Sequence, residues 1–235
     1  MSTLAQVRSE LTTITGRTDF TATPANGTLM INKAQRWMEE RILHPLTKRR
    51  SLDSLAIGTK VIAYEQLRSI LEIHMHKDSD GTKTTLKRKT FDEIYTGYSD
   101  ATSNGSPAYY AIGVASPSPD DETDQSAGEG GDDMLASGWF AKTQVLLDVP
   151  VDAAYTAHTL AYFYSNELSG DSDESIWTVN YPHHLVLAAI HQVDLQYRNE
   201  DGTGESFASA NNSLMEIEKD IIQMEMDDDM VHIGE

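Results

Sequence analysis

The hydrophobic period of this chain changes twice, from helical to alternating and back to helical, and that order leaves few folds open. Leu4, Val7, Leu11 and Ile14 recur at intervals of three, four and three, which marks one face of an α-helix. Thr3 and Gln6 form a capping-box pattern ahead of it, and Gly16 supplies the stop. Residues 17–28, with Pro24, Asn26 and Gly27, read as a loop. A second helix carries Ile31, Ala34, Met38 and Ile42 on one stripe with Trp37 beside it, and Pro45 ends it. Lys48, Arg49 and Arg50 follow where cations suit the C-terminus of that helix.

From residue 70 the period is two. Ile70, Glu72, His74 and His76 alternate with Leu71, Ile73 and Met75, and His76 to Gly81 has turn chemistry. Lys83 to Phe91 then reads as the return strand of a hairpin. Tyr109 to Ile112, Gln144 to Val149 and Tyr155 to Tyr164 read as further strands. Between them Ser116 to Asp133 holds seven acidic residues and no basic one, the pattern of a long surface loop.

Helical spacing returns after Gly170-Asp171-Ser172-Asp173. Pro182 suits a first helical position, and Val186, Ile190, Val193 and Tyr197 follow at intervals of four, three and four. Asn199 to Gly204 ends that helix. The last helix carries Phe207, Ala210, Leu214, Ile217, Ile221 and Met224 at strict a/d spacing. Such a stripe either docks on a partner or closes the molecule's own bundle. The expected fold is therefore α+β, a helical bundle from the N- and C-terminal helices interrupted by a central β-rich insertion. Its expected parts are helices over residues 1–57, the insertion over 58–169 with an acidic loop at 116–138, helices over 170–226, and an acidic tail over 227–235.

Charge divides along the chain. Residues 1–99 hold 15 basic and 11 acidic residues, whereas residues 100–235 hold 3 basic and 26 acidic. Unlike faces of this kind suit head-to-tail contacts between copies, which close into rings when the rotation permits. A net charge of -19 repels a phosphate backbone over most of the surface, so the chain is a poor candidate for gripping DNA, which leaves open that it surrounds DNA without holding it. The triplets Lys48-Arg49-Arg50 and Lys87-Arg88-Lys89 are short and lack interleaved aromatics, and read as counter-charges for an acidic neighbour.

Chemistry has few carriers. Cysteine is absent, which removes disulfides and thiolate ligands. His74 and His76 share a strand face and are geometrically able to chelate, but no third ligand is fixed nearby in sequence, so no metal or cofactor is expected. The Asp78 and Asp171 segments resemble fragments of calcium loops without their bidentate acidic residue, and read as turns. No nucleophile-elbow, phosphate-loop or dinucleotide motif is present, and no enzymatic role is expected. The asparagine sequons at Asn26, Asn104 and Asn211 carry little meaning without a secretory signal, and Met1 to Arg17 does not read as one. No apolar run reaches the roughly 20 residues that span a bilayer.

Five stretches, in their order, resemble the head-to-tail adaptor (neck or head-completion) proteins of tailed bacteriophages. Leu29-x-Ile31-Asn32-x-Ala34-x-x-Trp37-x-Glu39-x-Arg41 resembles the family's second helix. Leu71-Glu72-Ile73 through Leu86-Lys87-Arg88 resembles its hairpin, and Gly105-x-Pro107-x-Tyr109-Tyr110-Ala111-Ile112 its following strand. Trp177 to Gln192 resembles the helix after the insertion, and Asn199 to Met224 the terminal helix. The acidic stretch 116–138 is longer than the pattern.

The resemblance implies a structural virion protein, assembled in the host cytoplasm and placed at the neck. It implies a homo-oligomeric ring, commonly of twelve copies, under the portal protein, joined to tail or neck proteins and lining the DNA exit channel. It implies portal binding by Phe207, Leu214, Ile217, Ile221, Met224, Met230 and Ile233, and inter-subunit or tail contacts at Lys87, Arg88, Lys89, Tyr109 and Tyr110. Two other readings stay open from the residues alone: a tail-completion or decoration protein, and a soluble enzyme with a carboxylate site.

Overall fold

A computed structural model describes residues 2–17, 19–98, 103–113, 142–197 and 199–232. The acidic loop expected at 116–138 lies outside the described residues. In chain order the elements are α1 (Leu4–Thr15), α2 (Asp19–Ala22), α3 (Pro24–Arg41), a 3-10 turn (Pro45–Thr47), β1 (Lys48–Leu55), β2 (Val61–Glu65), β3 (Leu67–Lys77), β4 (Lys83–Thr85) and β5 (Lys87–Arg88). They continue with α4 (Phe91–Tyr98), β6 (Tyr109–Gly113), β7 (Lys142–Leu147), β8 (Tyr155–Phe163), α5 (Ile176–Asn180), α6 (Pro182–Tyr197) and α7 (Glu200–His232). The class is α+β, and the chain divides into a helical unit, Met1–Thr47 with Tyr164–Glu235, and a β unit, Lys48–Phe163.

These divisions correct the expected boundaries at 57/58 and 169/170. Lys48, Arg49 and Arg50 pair with Tyr162, Ala161 and Leu160 in β1, so they are strand residues and not helix-terminal cations. Tyr164 to Gly170 belongs to the helical unit because its polar backbone is taken up there. Asn32 donates from Nδ2 to the Leu168 carbonyl (2.9 Å) and accepts from the Leu168 N–H at Oδ1 (3.0 Å).

The helices start and stop where local chemistry dictates. Gln6 accepts from the Thr3 N–H (3.1 Å), and Gly16 closes α1 in the left-handed region at φ 65°. Pro24 opens α3, so most of the expected 17–28 loop is helical. Ser175 caps α5 by accepting from the Thr178 N–H. Asn199, read above as part of a helix end, instead begins α7: its Oδ1 accepts from the Gly202 N–H (3.2 Å).

In the helical unit, α1 packs on α3 and α6, and α6 packs on α3 and α7. Leu4, Leu11, Ile31, Met38, Trp177, Leu185 and Ile217 are fully buried together in one core. Each apolar stripe read from the sequence supplies part of it, although Ile14 at the end of α1 is exposed.

The β unit holds two sheets, with strand orders β1-β8-β3-β4 and β2-β7-β6-β5. Every pairing is antiparallel except β5 with β6. Along β8, Tyr155, Ala157, Thr159, Ala161 and Phe163 point inward and the residues between them point out. Ile73, Met75, Val145 and Leu147 from both sheets fill the shared core.

The expected return strand Lys83–Phe91 is shorter. It stays on β3 through Thr85 and the Leu86 N–H, which donates to the Ile73 carbonyl (2.9 Å), after which Lys87 and Arg88 cross to the second sheet beside Tyr109 and Tyr110. Phe91 then begins α4, because Thr90 and Glu93 cap each other: the Thr90 N–H donates to Glu93 Oε2 (2.9 Å), and the Glu93 N–H to Thr90 Oγ1 (3.3 Å).

Ile217 is fully buried on α7. Truncation in Ile217→Ala is expected to cost the helical unit about 2–4 kcal/mol, read by urea denaturation followed by circular dichroism at the helical band.

Candidate functional site

The outer face of the β1-β8-β3-β4 sheet gathers the ionisable groups that alternate away from the core. A cleft of about 370 Å³ there is lined by Arg50, Glu72, His74, His76, Lys83, His158 and Leu160. Register explains the grouping: β3 lies between β8 and β4, so His74 faces His158 on one side and Thr85 on the other. His74 reaches Glu72 Oε2 with Nε2 (3.0 Å) and Thr85 Oγ1 with Nδ1 (2.9 Å). The His76 and His158 rings stack at 3.8 Å with planes 20° apart, and Arg50 contacts His158 Nδ1. Desolvation, with Lys83, Arg50 and His74 nearby, holds His76 below the usual imidazole range. The imidazoles do not converge on one point. Among the described residues no group of three or more His, Cys, Asp or Glu is placed to hold a metal ion.

The second basic triplet lies on the other sheet. Lys87 and Arg88 are exposed on β5, and Lys89 sets its ammonium 4.1 Å from the Tyr109 ring centre. Tyr110 is different: it is buried in the β core, and burial raises its hydroxyl pKa. As a contact residue Tyr110 is therefore corrected to a core residue, since alternation along β6 turns it inward while Tyr109 stays half-buried at the surface.

The terminal helix requires a similar correction. Leu214, Ile217 and Ile221 are buried in the unit's own core with Ala210, so the stripe closes the bundle and leaves those side chains no free surface for a partner. Phe207 is 46% exposed, with its ring 5.4 Å from His191. Met224 and Met230 fall in α7, but their side chains lie outside the described residues, as does Ile233 entirely.

A buried polar cluster joins the two ends of the chain. Glu39 Oε1 accepts from the Trp177 indole N–H (2.8 Å) and from the Ser165 N–H (3.0 Å). His44 contacts Tyr181 Oη through Nε2 (3.1 Å), accepts from the Leu46 N–H at Nδ1 (3.2 Å), and burial lowers its pKa. Sequence reading missed this cluster, although its signal was present: Gln35 and Glu39 fall inside the apolar stripe of α3, where a polar side chain must find a partner. Glu39 and Asp148 are the buried carboxylates among the described residues. Each serves backbone or indole donors and not a second carboxylate, Asp148 accepting from the Ala108 N–H (3.1 Å). No helix of the described residues is long and apolar enough to cross a membrane. Comparison of the chain with protein-family models and with curated proteins finds no match.

Removing the Glu39 acceptor leaves the buried Trp177 indole N–H and the half-buried Ser165 N–H unpaired. Glu39→Ala is expected to cost the helical unit about 2–4 kcal/mol and Glu39→Gln, which keeps a carbonyl oxygen, clearly less, in urea denaturation. Burial holds His44, His184 and His191 below their ordinary range. The unfolded chain therefore binds these protons first, and the helical unit is at full stability above about pH 6.5 and loses it as pH falls. A urea midpoint that does not drop between about pH 7 and pH 5 would contradict this assignment.

Proposed function

We propose that this chain is a head-to-tail adaptor of a tailed bacteriophage: a structural virion protein whose copies, twelve in number, form a ring between portal and tail and line the path of exiting DNA. The observation that carries the reading is the reach of the terminal helix. At about 1.5 Å per residue, the 33 residues of α7 run about 50 Å, against about 24 Å for the 16 residues of its packing partner α6. Leu214, Ile217 and Ile221 anchor α7 in the core, and the helix continues to His232. A terminal helix twice as long as its packing partner is suited to a larger neighbour, which in this reading is the portal.

The five stretches that resemble the adaptor family fall on α3, β3 to β5, β6, α5 with α6, and α7. In this reading Leu214, Ile217 and Ile221 anchor the helix, while Phe207, Met224, Met230 and Ile233 meet the portal. Lys87, Arg88, Lys89 and Tyr109 meet a neighbouring copy or a tail component. The ring repels phosphate through its acidity and has no catalytic task, membrane or cofactor. It assembles in the host cytoplasm and ends at the virion neck.

Native mass spectrometry of the purified chain, alone and with its portal, tests the proposal. A closed ring of fixed copy number on the portal is expected, and deletion of residues 227–235 should abolish portal binding while leaving the urea midpoint unchanged. A chain that remains monomeric with and without the portal would overturn the reading.

A further inference from the structure

The cleft on the outer face of the β1-β8-β3-β4 sheet has a charge opposite to that of the chain as a whole. Arg50 from β1 and Lys83 from β4 are permanent cations across it, His74 and His76 on β3 and His158 on β8 add up to three more on protonation, and Glu72 is the lining carboxylate. At the hairpin end of the same face Thr156 holds Asp78 (3.0 Å). The stacked His76 and His158 present a flat, partly desolvated surface beside these cations. The complementary surface lies on α7. Residues 216–229 carry Glu216, Glu218, Asp220, Glu225 and Asp227 to Asp229 against the single cation Lys219. Of these, Glu216, Glu218 and Asp220 are exposed, because Leu214, Ile217 and Ile221 turn the other face of the helix into the core, and the titratable group that α6 sets against them is His184, 4.0 Å from Glu216.

We propose that the histidine-lined face of the β1-β8-β3-β4 sheet is an interface that receives the carboxylate-bearing outer side of α7 from a second copy of this chain. Carboxylates stay ionised down to about pH 5 while imidazoles gain protons below about pH 7, so the contact takes up protons and tightens on mild acidification. It weakens with salt, since its charges are exposed. An acidic helix is favoured as the occupant because every copy that presents the basic cleft also supplies the complementary carboxylates. The inference rests on the self-assembly in the proposed function and not on the portal.

Charge-swap pairs test it in the full chain. Arg50→Glu with Lys83→Glu reverses the cleft, and Glu216→Lys with Glu218→Lys reverses the helix. Sedimentation velocity at low salt should show self-association of the unmodified chain strengthening from about pH 7.5 to pH 6, each double variant weakened at least about tenfold, and association restored when the two variants are mixed. Circular dichroism melting checks that both variants fold. Should either fail to do so, a synthetic peptide of residues 212–232 titrated into the unmodified chain should shift the imidazole proton resonances of His76 and His158. Unmodified association with both variants unchanged would overturn this interface alone. A chain that never associates would overturn it together with the ring. A short single-stranded oligonucleotide that moves the same resonances when the peptide does not would assign the cleft to nucleic acid and overturn the proposal.

Discussion

Glu39 accepts hydrogen bonds from the Trp177 indole and the Ser165 backbone, and through them the two ends of the chain meet across everything between Lys48 and Phe163. A buried carboxylate is costly unless its oxygens are served, so the contact tolerates little displacement of α3, α5 or the segment leaving β8. Asn32 repeats the arrangement two helical turns earlier with both atoms of its amide on Leu168. The entropic cost of closing so long an insertion grows only slowly with its length, which is why a whole β unit can sit inside a helical one. The apolar surface around Trp177 offsets that cost.

Once the ends are joined, the terminal helix has two tasks on two faces. Ala210, Leu214, Ile217 and Ile221 hold it to the bundle, and Glu218 and Asp220 are exposed, while Glu216, also exposed, lies 4.0 Å from His184 Nδ1 on α6. A strict a/d stripe is therefore compatible with an internal partner. Its spacing tells that a helix is packed and not what it is packed against. The basic residues of the β unit lie on the outer surfaces of two sheets whose shared core is apolar. Lys and Arg are the more numerous in the β unit, 11 against 7 in the helical unit, although both units are acidic overall.

Period and punctuation made the fold class legible from the sequence: the α1, α3, α6 and α7 stripes each reach the core, and the hairpin turn at Gly81 has the left-handed backbone its glycine implies, φ 71°. What stayed hidden was long-range. The crossing of Lys87 and Arg88 to the second sheet depends on a partner strand more than twenty residues on, and no local period records it. Short elements such as α4 and α5 carry too few residues for a stripe, although their caps, Thr90 with Glu93 and Ser175 with Thr178, were written in the sequence. The histidine face was half legible: His74 and His76 share a strand side by alternation, but His158 and Arg50 join them only through register. Tyr110 and the a/d leucine and isoleucines were assigned to partners by resemblance, and burial reassigns them to the core.

The central claim is the proposed one, that residues 224–232 of α7 meet a larger neighbour while Leu214, Ile217 and Ile221 hold the helix to the bundle. Hydrogen exchange of the full chain with and without its portal measures this directly. The account predicts strong protection around Leu214 to Ile221 in both states and new protection over residues 224–232 only when the portal is present. Unchanged exchange over residues 224–232 in a confirmed complex would contradict it.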